Sequence, residues 1–168
     1  MVLGWAHLLV SLVALQRLAE LIHAQRNTRA LLARGGRETG AGHYPLFVLL
    51  HGGWLVALFI LTAPNPEPQW PWLALFAVCQ GLRLWVLATL GPYWTTRIIT
   101  LAGAPPIATG AYRYVRHPNY LIVALEIPAL PLGLGLPVVA AVFGLLNLAL
   151  LAYRISVEDA ARRDLAPR

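Results

Sequence analysis

Long apolar stretches dominate this sequence and restrict what it can fold into. Of its residues, 58% are hydrophobic and only 12% are charged, which is typical of a protein embedded in a membrane. A helix needs about 20 predominantly apolar residues to cross a bilayer. The sequence contains four apolar regions, which cover residues 3–22, 46–63, 72–90 and 120–153.

The fourth region is too long for one crossing, so we predict that it forms a helical hairpin. Prolines and glycines interrupt its middle at positions 128, 131, 133, 135 and 137. The predicted arms are 119–134 and 137–153, and the first is short and kinked, so that it tilts or bends rather than crossing straight. The sequence therefore predicts an all-α integral membrane protein with about five transmembrane helices, the last two of which form the hairpin.

The arginines predict which ends of these helices face the cytoplasm. Eleven of them lie in three segments that a five-helix arrangement puts on one side of the membrane, namely 23–45, 91–118 and 154–168. The opposite side, which includes the loop 64–71, carries none. Because short cytoplasmic loops are enriched in basic residues, we expect the N-terminus outside and the C-terminus in the cytoplasm.

The composition argues against several other classes of protein and site. The net charge of +6 is spread over separate loops rather than along one stripe, so we do not expect a nucleic-acid partner. Cys79 is the only cysteine, which excludes an intramolecular disulfide and a cysteine-based zinc site, and no two histidines are spaced to bind a metal on one helix face. The N-terminus lacks the basic start of a signal peptide. We therefore expect one membrane domain over residues 1–168, without a metal.

Polar residues within the apolar regions lie at similar depths. Each is about six or seven residues from the cytoplasmic end of its predicted helix, or roughly 10 Å inward at 1.5 Å per residue. They are Arg17, His51, Arg83, Glu126 and Asn147. One interpretation is structural, with Arg83 paired to Glu126 or Glu20, and with Arg17 paired to Glu20 on the same helix face. The other is functional: Glu126 lines a cavity open to the cytoplasm, and the substrate contacts His51, Arg83 and Glu126.

A polar loop, 91–118, separates the third and fourth apolar regions. Residues 93–101 combine aromatic and β-branched types, which predicts a short extended or interfacial piece. Pro118 suits the first turn of a helix, and the free N–H groups there, with Arg116 beside them, predict a seat for a carboxylate or phosphate. The end of the loop is dense in rings, donors and fixed charge, and reads Arg116-His117-Pro118-Asn119-Tyr120.

This segment and a second one after the hairpin resemble the signature of the isoprenylcysteine carboxyl methyltransferase family of integral membrane enzymes. The family pattern is Arg-His-Pro-x-Tyr before a helical hairpin and Arg-Ile-x-x-Glu-Glu after it. The second half here is Arg154-Ile155-Ser156-Val157-Glu158-Asp159. The resemblance implies S-adenosylmethionine as the cofactor, held by a cytoplasmic part of the chain at about 91–168. It implies cofactor contacts from Arg116, His117, Tyr120 and Glu158, and further contacts from Tyr112, Arg113 and Asn119.

A narrower resemblance covers nearly the whole chain. It is similar to a small bacterial branch of the family, O-methyltransferases that act on alkylpyrones and alkylresorcinols, the lipids made by type III polyketide synthases. Two departures stand out: Asp159 replaces the second glutamate of the pattern, and the sequence stops at Arg168 without the aromatic-rich tail of many members, so we expect a less enclosed cofactor. The stretches that carry this resemblance are Gln16-Arg17-Leu18-Ala19-Glu20, Gly42-His43-Tyr44-Pro45, Gly81-Leu82-Arg83-Leu84-Trp85 and Gly91-Pro92-Tyr93-Trp94-Thr95-Thr96-Arg97.

These features lead to a hypothesis of in-line methyl transfer from a cofactor that enters from water to an oxygen of a lipid that enters from the bilayer. His117 or Glu126 takes the proton of the acceptor, and Tyr112 or Tyr120 faces the sulfonium. Three alternatives stay open. The acceptor is instead a prenyl-cysteine carboxylate or a phospholipid amine; the chain is a nicotinamide-dependent enzyme like the membrane sterol reductases; or the polar layer serves assembly in a protein without enzymatic activity.

Overall fold

The described residues fold into five α-helices, as the computed structural model shows. The structure describes residues 2–103 and 107–165, without the side chains of residues 162, 164 and 165. Arg168 and the side chain of Arg162, which entered the charge argument, lie outside this part. The helices are α1 (Trp5–Ala33), α2 (Tyr44–Leu61), α3 (Trp70–Leu90), α4 (Pro118–Gly133) and α5 (Pro137–Leu165). The predicted all-α class and the hairpin formed by the last two helices are confirmed.

The number of full crossings needs a correction. In the described part of the chain, four helices are long and apolar enough to cross a membrane, namely α1, α2, α3 and α5. Helix α4 has only 16 residues and carries Pro128 and Pro131 inside it, so that it is roughly 24 Å long, less than the ~30 Å of a bilayer core. The hairpin nevertheless reaches the far end of α3, because the backbone N–H of Gln69 donates to the carbonyl of Gly133 at 3.1 Å.

Proline sets where four of the helices begin. Each of α2 to α5 has a proline in its first turn, where the missing N–H costs no hydrogen bond and the fixed φ favours the helix. Helices α1 and α5 run beyond the predicted apolar limits at residues 22 and 153, to Ala33 and Leu165. Their polar extensions consist largely of good helix formers such as Ala, Leu and Arg, which explains why they do not end with the apolar stretch.

A short antiparallel ribbon joins two loops and packs against α1 and α5. Strand β1 (Arg37–Thr39) pairs with β2 (Ile98–Thr100), with Glu38 opposite Ile99. The predicted extended piece within 93–101 is confirmed for β2. Its partner was not predicted, because three residues with two charged side chains show no alternation of apolar and polar positions.

Helix α4 lies in the core of the helix bundle and is bonded to α2 and α5. On α2, the fully buried Trp54 donates its indole N–H to the carbonyl of Ile127 on α4 at 3.1 Å. On α5, the buried amide of Asn147 donates to the carbonyl of Val123 at 3.5 Å. The Trp54 bond satisfies the Ile127 carbonyl, whose usual helical donor would be residue 131, a proline without an N–H, and the Asn147 bond adds a donor to another carbonyl of the same helix.

We predict that Gly110→Ala destabilises the junction between α3 and the loop that precedes α4. Gly110 has a φ of +55°, and an added Cβ would lie 2.3 Å from Oγ1 and 3.1 Å from Cβ of Thr89. A strained backbone of this kind costs about 1–3 kcal/mol. The measurement is the thermal unfolding midpoint in detergent, with Gly81→Ala as control, because an added Cβ there meets nothing within 4 Å. Equal midpoints for the two variants would contradict the prediction.

Candidate functional site

The two halves of the signature meet at the open end of the hairpin. The hydroxyl of Tyr120, at the start of α4, donates to the carboxylate of Glu158 on α5 at 2.5 Å. The same hydroxyl accepts a hydrogen bond from Nε of Arg154 at 2.9 Å. On the exposed side, Arg116 pairs with Asp159 at 2.8 Å. Helix α5 therefore brings the second half of the signature into contact with the first. We call these residues the signature cluster: Arg116, His117, Asn119, Tyr120, Arg154, Glu158 and Asp159.

Two polar atoms in this cluster are buried and unbonded within the described residues. The His117 ring stacks on Tyr120, with centroids 5.3 Å apart. Its Nε2 lies 3.9 Å from the Asp159 carboxylate, which is too far for a hydrogen bond, and neither this atom nor Oδ1 of Asn119 has another partner in that part of the chain. Because buried polar atoms normally have partners, both atoms are suited to bond a ligand.

Tyr112 and Arg113 lie beside the cluster, on the short 3₁₀ turn Gly110–Arg113. Tyr112 is half-buried and packs against a group of buried apolar residues that includes Val86 and Trp94. Arg113 is exposed to solvent. The structure thus brings together five of the seven expected cofactor residues and leaves Tyr112 and Arg113 at the edge, so that their cofactor role stays a prediction.

A cavity of about 340 Å³ extends from the signature cluster into the helix bundle. Asn119, Tyr120 and Arg154 border it at the cluster end, and His51, Arg83 and Arg17 border it further along. Much of the remaining wall is apolar and comes from α1 and α2: Ala14, Leu18, Leu21, Phe47, Val48 and Leu55.

Two arginines and two glutamates form a buried charge network at the side of this cavity. We call these four residues the charge quartet: Arg17, Glu20, Arg83 and Glu126. Arg83 donates to both carboxylate oxygens of Glu20, from Nε at 2.7 Å and from Nη2 at 2.6 Å, and lies 3.4 Å from Glu126. Arg17 pairs with Glu20 at 3.0 Å and also bonds Glu126. The pairings expected from the sequence thus occur together, and the quartet is neutral as a unit.

Two glutamines add hydrogen bonds to the carboxylates of the quartet. Gln16 donates to Glu20 at 3.0 Å and to the side-chain oxygen of Gln80 at 2.8 Å. Gln80 in turn donates to Glu126. Each carboxylate therefore accepts from two arginines and one glutamine, which is the condition under which buried charges are tolerated.

The expectation that Glu126 lines the cavity is wrong. Its side chain is 0% exposed, and Arg17, Arg83 and Gln80 enclose the carboxylate. Arg17, Glu20 and Arg83 border the cavity instead. The predicted roles of Glu126 as proton acceptor and substrate contact are therefore not favoured by its position, whereas His51 and Arg83 do face the space in which a substrate would lie.

Sequence reasoning gave Arg154 no role of its own, although its side chain is central to the cluster. It is only 7% exposed, borders the cavity, and lies 5.3 Å above the Phe47 ring and 5.7 Å above that of Tyr120. Arg154 could have been recognised as a site residue from its position as the first residue of the second signature half. The segment after α3 was likewise underestimated, because Trp94, Thr95 and Thr96 border the cavity.

The segment 94–97 is tied to the ribbon and to α2. The guanidinium of Arg97 lies 4.7 Å from the centre of the Tyr44 ring and pairs with Glu38 of β1 at 2.9 Å.

Residues 72–163, which include this segment, the hairpin and both signature halves, match the family described as the isoprenylcysteine carboxyl methyltransferase (ICMT) family. The chain belongs to this family. It is therefore a methyltransferase of a multi-pass membrane type, and the family uses S-adenosylmethionine as its cofactor.

Two relatives extend the similarity beyond the family match. The chain is 34% identical over 161 residues to the uncharacterized protein YpbQ of Bacillus subtilis, covering 94% of this chain and 96% of the relative. It is 29% identical over 149 residues to an uncharacterized protein of Haemophilus influenzae, covering 85% and 86%. No solved structure shows a significant match. Neither relative's name states an acceptor, so the alkylpyrone and alkylresorcinol branch stays a prediction.

We predict that charge balance, rather than any one contact, keeps the quartet stable. Arg83→Met leaves one excess negative charge and Glu20→Gln one excess positive charge, and an unpaired buried charge costs about 3–5 kcal/mol. The double variant is neutral again and should be more stable than either single variant. Thermal unfolding midpoints in detergent measure this, with Arg29→Met as the control because Arg29 is exposed on α1. The prediction would be contradicted if the decrease in unfolding midpoint of the double variant equalled the sum of the decreases of the two single variants.

Proposed function

We propose that this methyltransferase transfers the methyl group of S-adenosylmethionine to an oxygen of a lipid dissolved in the membrane, such as an alkylpyrone or alkylresorcinol. One observation carries the proposal. A single cavity has both signature halves at one end, through Tyr120 and Arg154, and apolar side chains of α1 and α2 along its length. A charged, water-soluble donor and an apolar acceptor can reach a common space only in an arrangement of this kind.

The signature cluster has the chemistry that S-adenosylmethionine requires. Arg116 is exposed and offers a guanidinium to the cofactor carboxylate in exchange for Asp159. Glu158 offers an acceptor for the ammonium or ribose hydroxyls. The open Oδ1 of Asn119 is a buried atom that such a ligand would satisfy. When bound, the cofactor supplies a methyl group on a positively charged sulfur.

His117 is the proposed proton acceptor. Methyl transfer to a hydroxyl group would form a carbon–oxygen bond as the methyl–sulfur bond of the donor breaks and S-adenosylhomocysteine leaves, and the released hydroxyl proton would need a base. Nε2 of His117 is buried and without a hydrogen-bond partner in the described part of the chain, and its ring is held by stacking on Tyr120. A hydroxypyrone or phenol ionises readily, so a weak base such as imidazole suffices.

The neutral charge quartet favours an acceptor that arrives uncharged. Its arginines already have carboxylate partners, so an added anion would disturb the balance that permits their burial. A hydroxyl group instead needs only hydrogen bonds, for which Arg17 and His51 lie on the cavity wall. We propose that the signature cluster lies on the cytoplasmic side, because its residues belong to or adjoin the arginine-rich segments 91–118 and 154–168.

The methyl acceptor is tested with purified protein, labelled S-adenosylmethionine and separate lipid pools. We expect an alkylresorcinol or alkylpyrone to gain one methyl group on oxygen, detected by mass spectrometry, and prenyl-cysteine and phosphatidylethanolamine to gain none. Arg154→Gln should lower the rate by about 10²-fold or more, because it removes the buried cation that positions Tyr120. Methylation of only prenyl-cysteine or phospholipid would reject the proposed acceptor and retain the methyltransferase.

We predict that Tyr120→Phe weakens cofactor binding. The change removes only the hydroxyl that links Arg154 to Glu158, and loss of hydrogen bonds to charged groups costs about 1.5–3 kcal/mol, or roughly tenfold to a hundredfold in the dissociation constant. Calorimetric titration with S-adenosylhomocysteine measures it. The matched control is Tyr114→Phe, since Tyr114 is 74% exposed in the loop that precedes α4. Unchanged affinity in Tyr120→Phe would place the cofactor elsewhere.

A further inference from the structure

The cavity follows one face of α2 from the signature cluster towards the interior of the bundle. Its α2 residues are Phe47, Val48, His51, Gly52 and Leu55, which repeat at the spacing of a single helix face. They cover roughly 12 Å along the helix axis at 1.5 Å per residue. The polar atoms of this wall end at His51, so the stretch from Gly52 to Leu55 offers only apolar contacts.

The cavity also opens sideways between α1 and α2. Leu18 on α1 and Val48 on α2 both border it, yet they are 54% and 47% exposed. These side chains therefore reach the outer, lipid-facing surface as well as the cavity. Apolar residues that belong to both surfaces mark a passage suited to a hydrocarbon chain rather than to a polar group.

Gly52 leaves free space on this wall. An added Cβ would meet nothing within 4 Å, so no packed neighbour explains the missing side chain. The adjacent Gly53 differs, because an added Cβ would lie 3.7 Å from the Phe143 ring on α5, an ordinary packing contact. Of the two glycines, Gly53 thus faces a neighbouring helix and Gly52 faces the cavity.

We infer that Gly52 is a specificity-determining residue that admits the alkyl tail of the acceptor. The inference rests on the proposed function and deepens it. The head group lies between the signature cluster and the quartet, while a single tail passes over Gly52, contacts Leu55 and continues between α1 and α2 into the bilayer. A larger side chain at residue 52 fills this path. It leaves the signature cluster, which lies at the other end of the cavity, unaltered.

The test measures binding without turnover, so that it does not depend on methylation. The probes are orcinol and pentadecylresorcinol, which share a head group and differ in the length of the tail, and S-adenosylhomocysteine, which reports on the cofactor site. All are titrated against the wild type, Gly52→Leu and Gly81→Leu in lipid nanodiscs. Gly81 is the matched control, since it is also a helical glycine with nothing within 4 Å of an added Cβ, but it does not border the cavity.

We expect the wild type to bind pentadecylresorcinol more tightly than orcinol. Gly52→Leu should weaken pentadecylresorcinol at least about tenfold, because each buried methylene excluded from its contacts loses roughly a factor of four in affinity. Its affinities for orcinol and S-adenosylhomocysteine, and all affinities of Gly81→Leu, should equal those of the wild type.

Three results would overturn the inference. The wild type could bind orcinol and pentadecylresorcinol with equal affinity, Gly52→Leu could bind pentadecylresorcinol as tightly as the wild type does, or Gly81→Leu could lose as much affinity for pentadecylresorcinol as Gly52→Leu. A loss of all three ligands by Gly52→Leu would also overturn it, since the substitution would then disturb the whole site. Failure of the proposed function has a different signature, in which the long-tailed probe binds as expected but gains no methyl group.

Discussion

The charge quartet is the interaction on which the geometry of this protein depends. Arg17 and Glu20 lie on α1, Arg83 on α3 and Glu126 on α4, so a single ion network fixes three helices relative to one another. Burial of these groups is tolerated only while the carboxylates and guanidiniums remain paired. Helices in a bilayer gain little from apolar contact alone, because lipid tails compete for it. The quartet therefore fixes the relative positions of α1, α3 and α4 and selects this arrangement of the helices. The cavity lies beside it.

The hairpin also brings the end of α5 back to the start of α4. Tyr120 at the start of α4 and Glu158 near the end of α5 are bonded although a whole hairpin separates them. Helix α4 has 16 residues against 21 in α3, and the two are level at the hairpin tip through Gln69 and Gly133. Helix α4 is five residues shorter, a rise of about 7.5 Å, so its start is recessed relative to the end of α3. This recess brings the signature cluster close to the quartet.

The sequence predicted the helices because apolar length and proline position are local properties. It also predicted that Arg17, Arg83 and Glu126 lie at one depth. One of its two interpretations paired Arg83 with Glu126 or Glu20, and Arg17 with Glu20, because charged side chains in a bilayer have few partners other than one another. It could not predict which of them faces open space. Glu126 is enclosed and Glu20 borders the cavity, a distinction that depends on how α1, α3 and α4 are rotated about their axes. Nor could hydropathy reveal Arg154 as a buried residue, since arginine at a helix end ordinarily counts as a topology charge.

The cavity resolves a conflict that any membrane methyltransferase faces between polarity and access. A site that attracts a charged cofactor must keep polar groups available, whereas a site that admits a hydrocarbon chain must not expose them to lipid. Here the two demands are separated along α2: polar partners end at His51, and the wall from Gly52 onward is apolar. The quartet can lie at the boundary because it is neutral and internally bonded. An unpaired charge at that level would draw water towards the tail path, so charge neutrality and lipid access are two consequences of one arrangement.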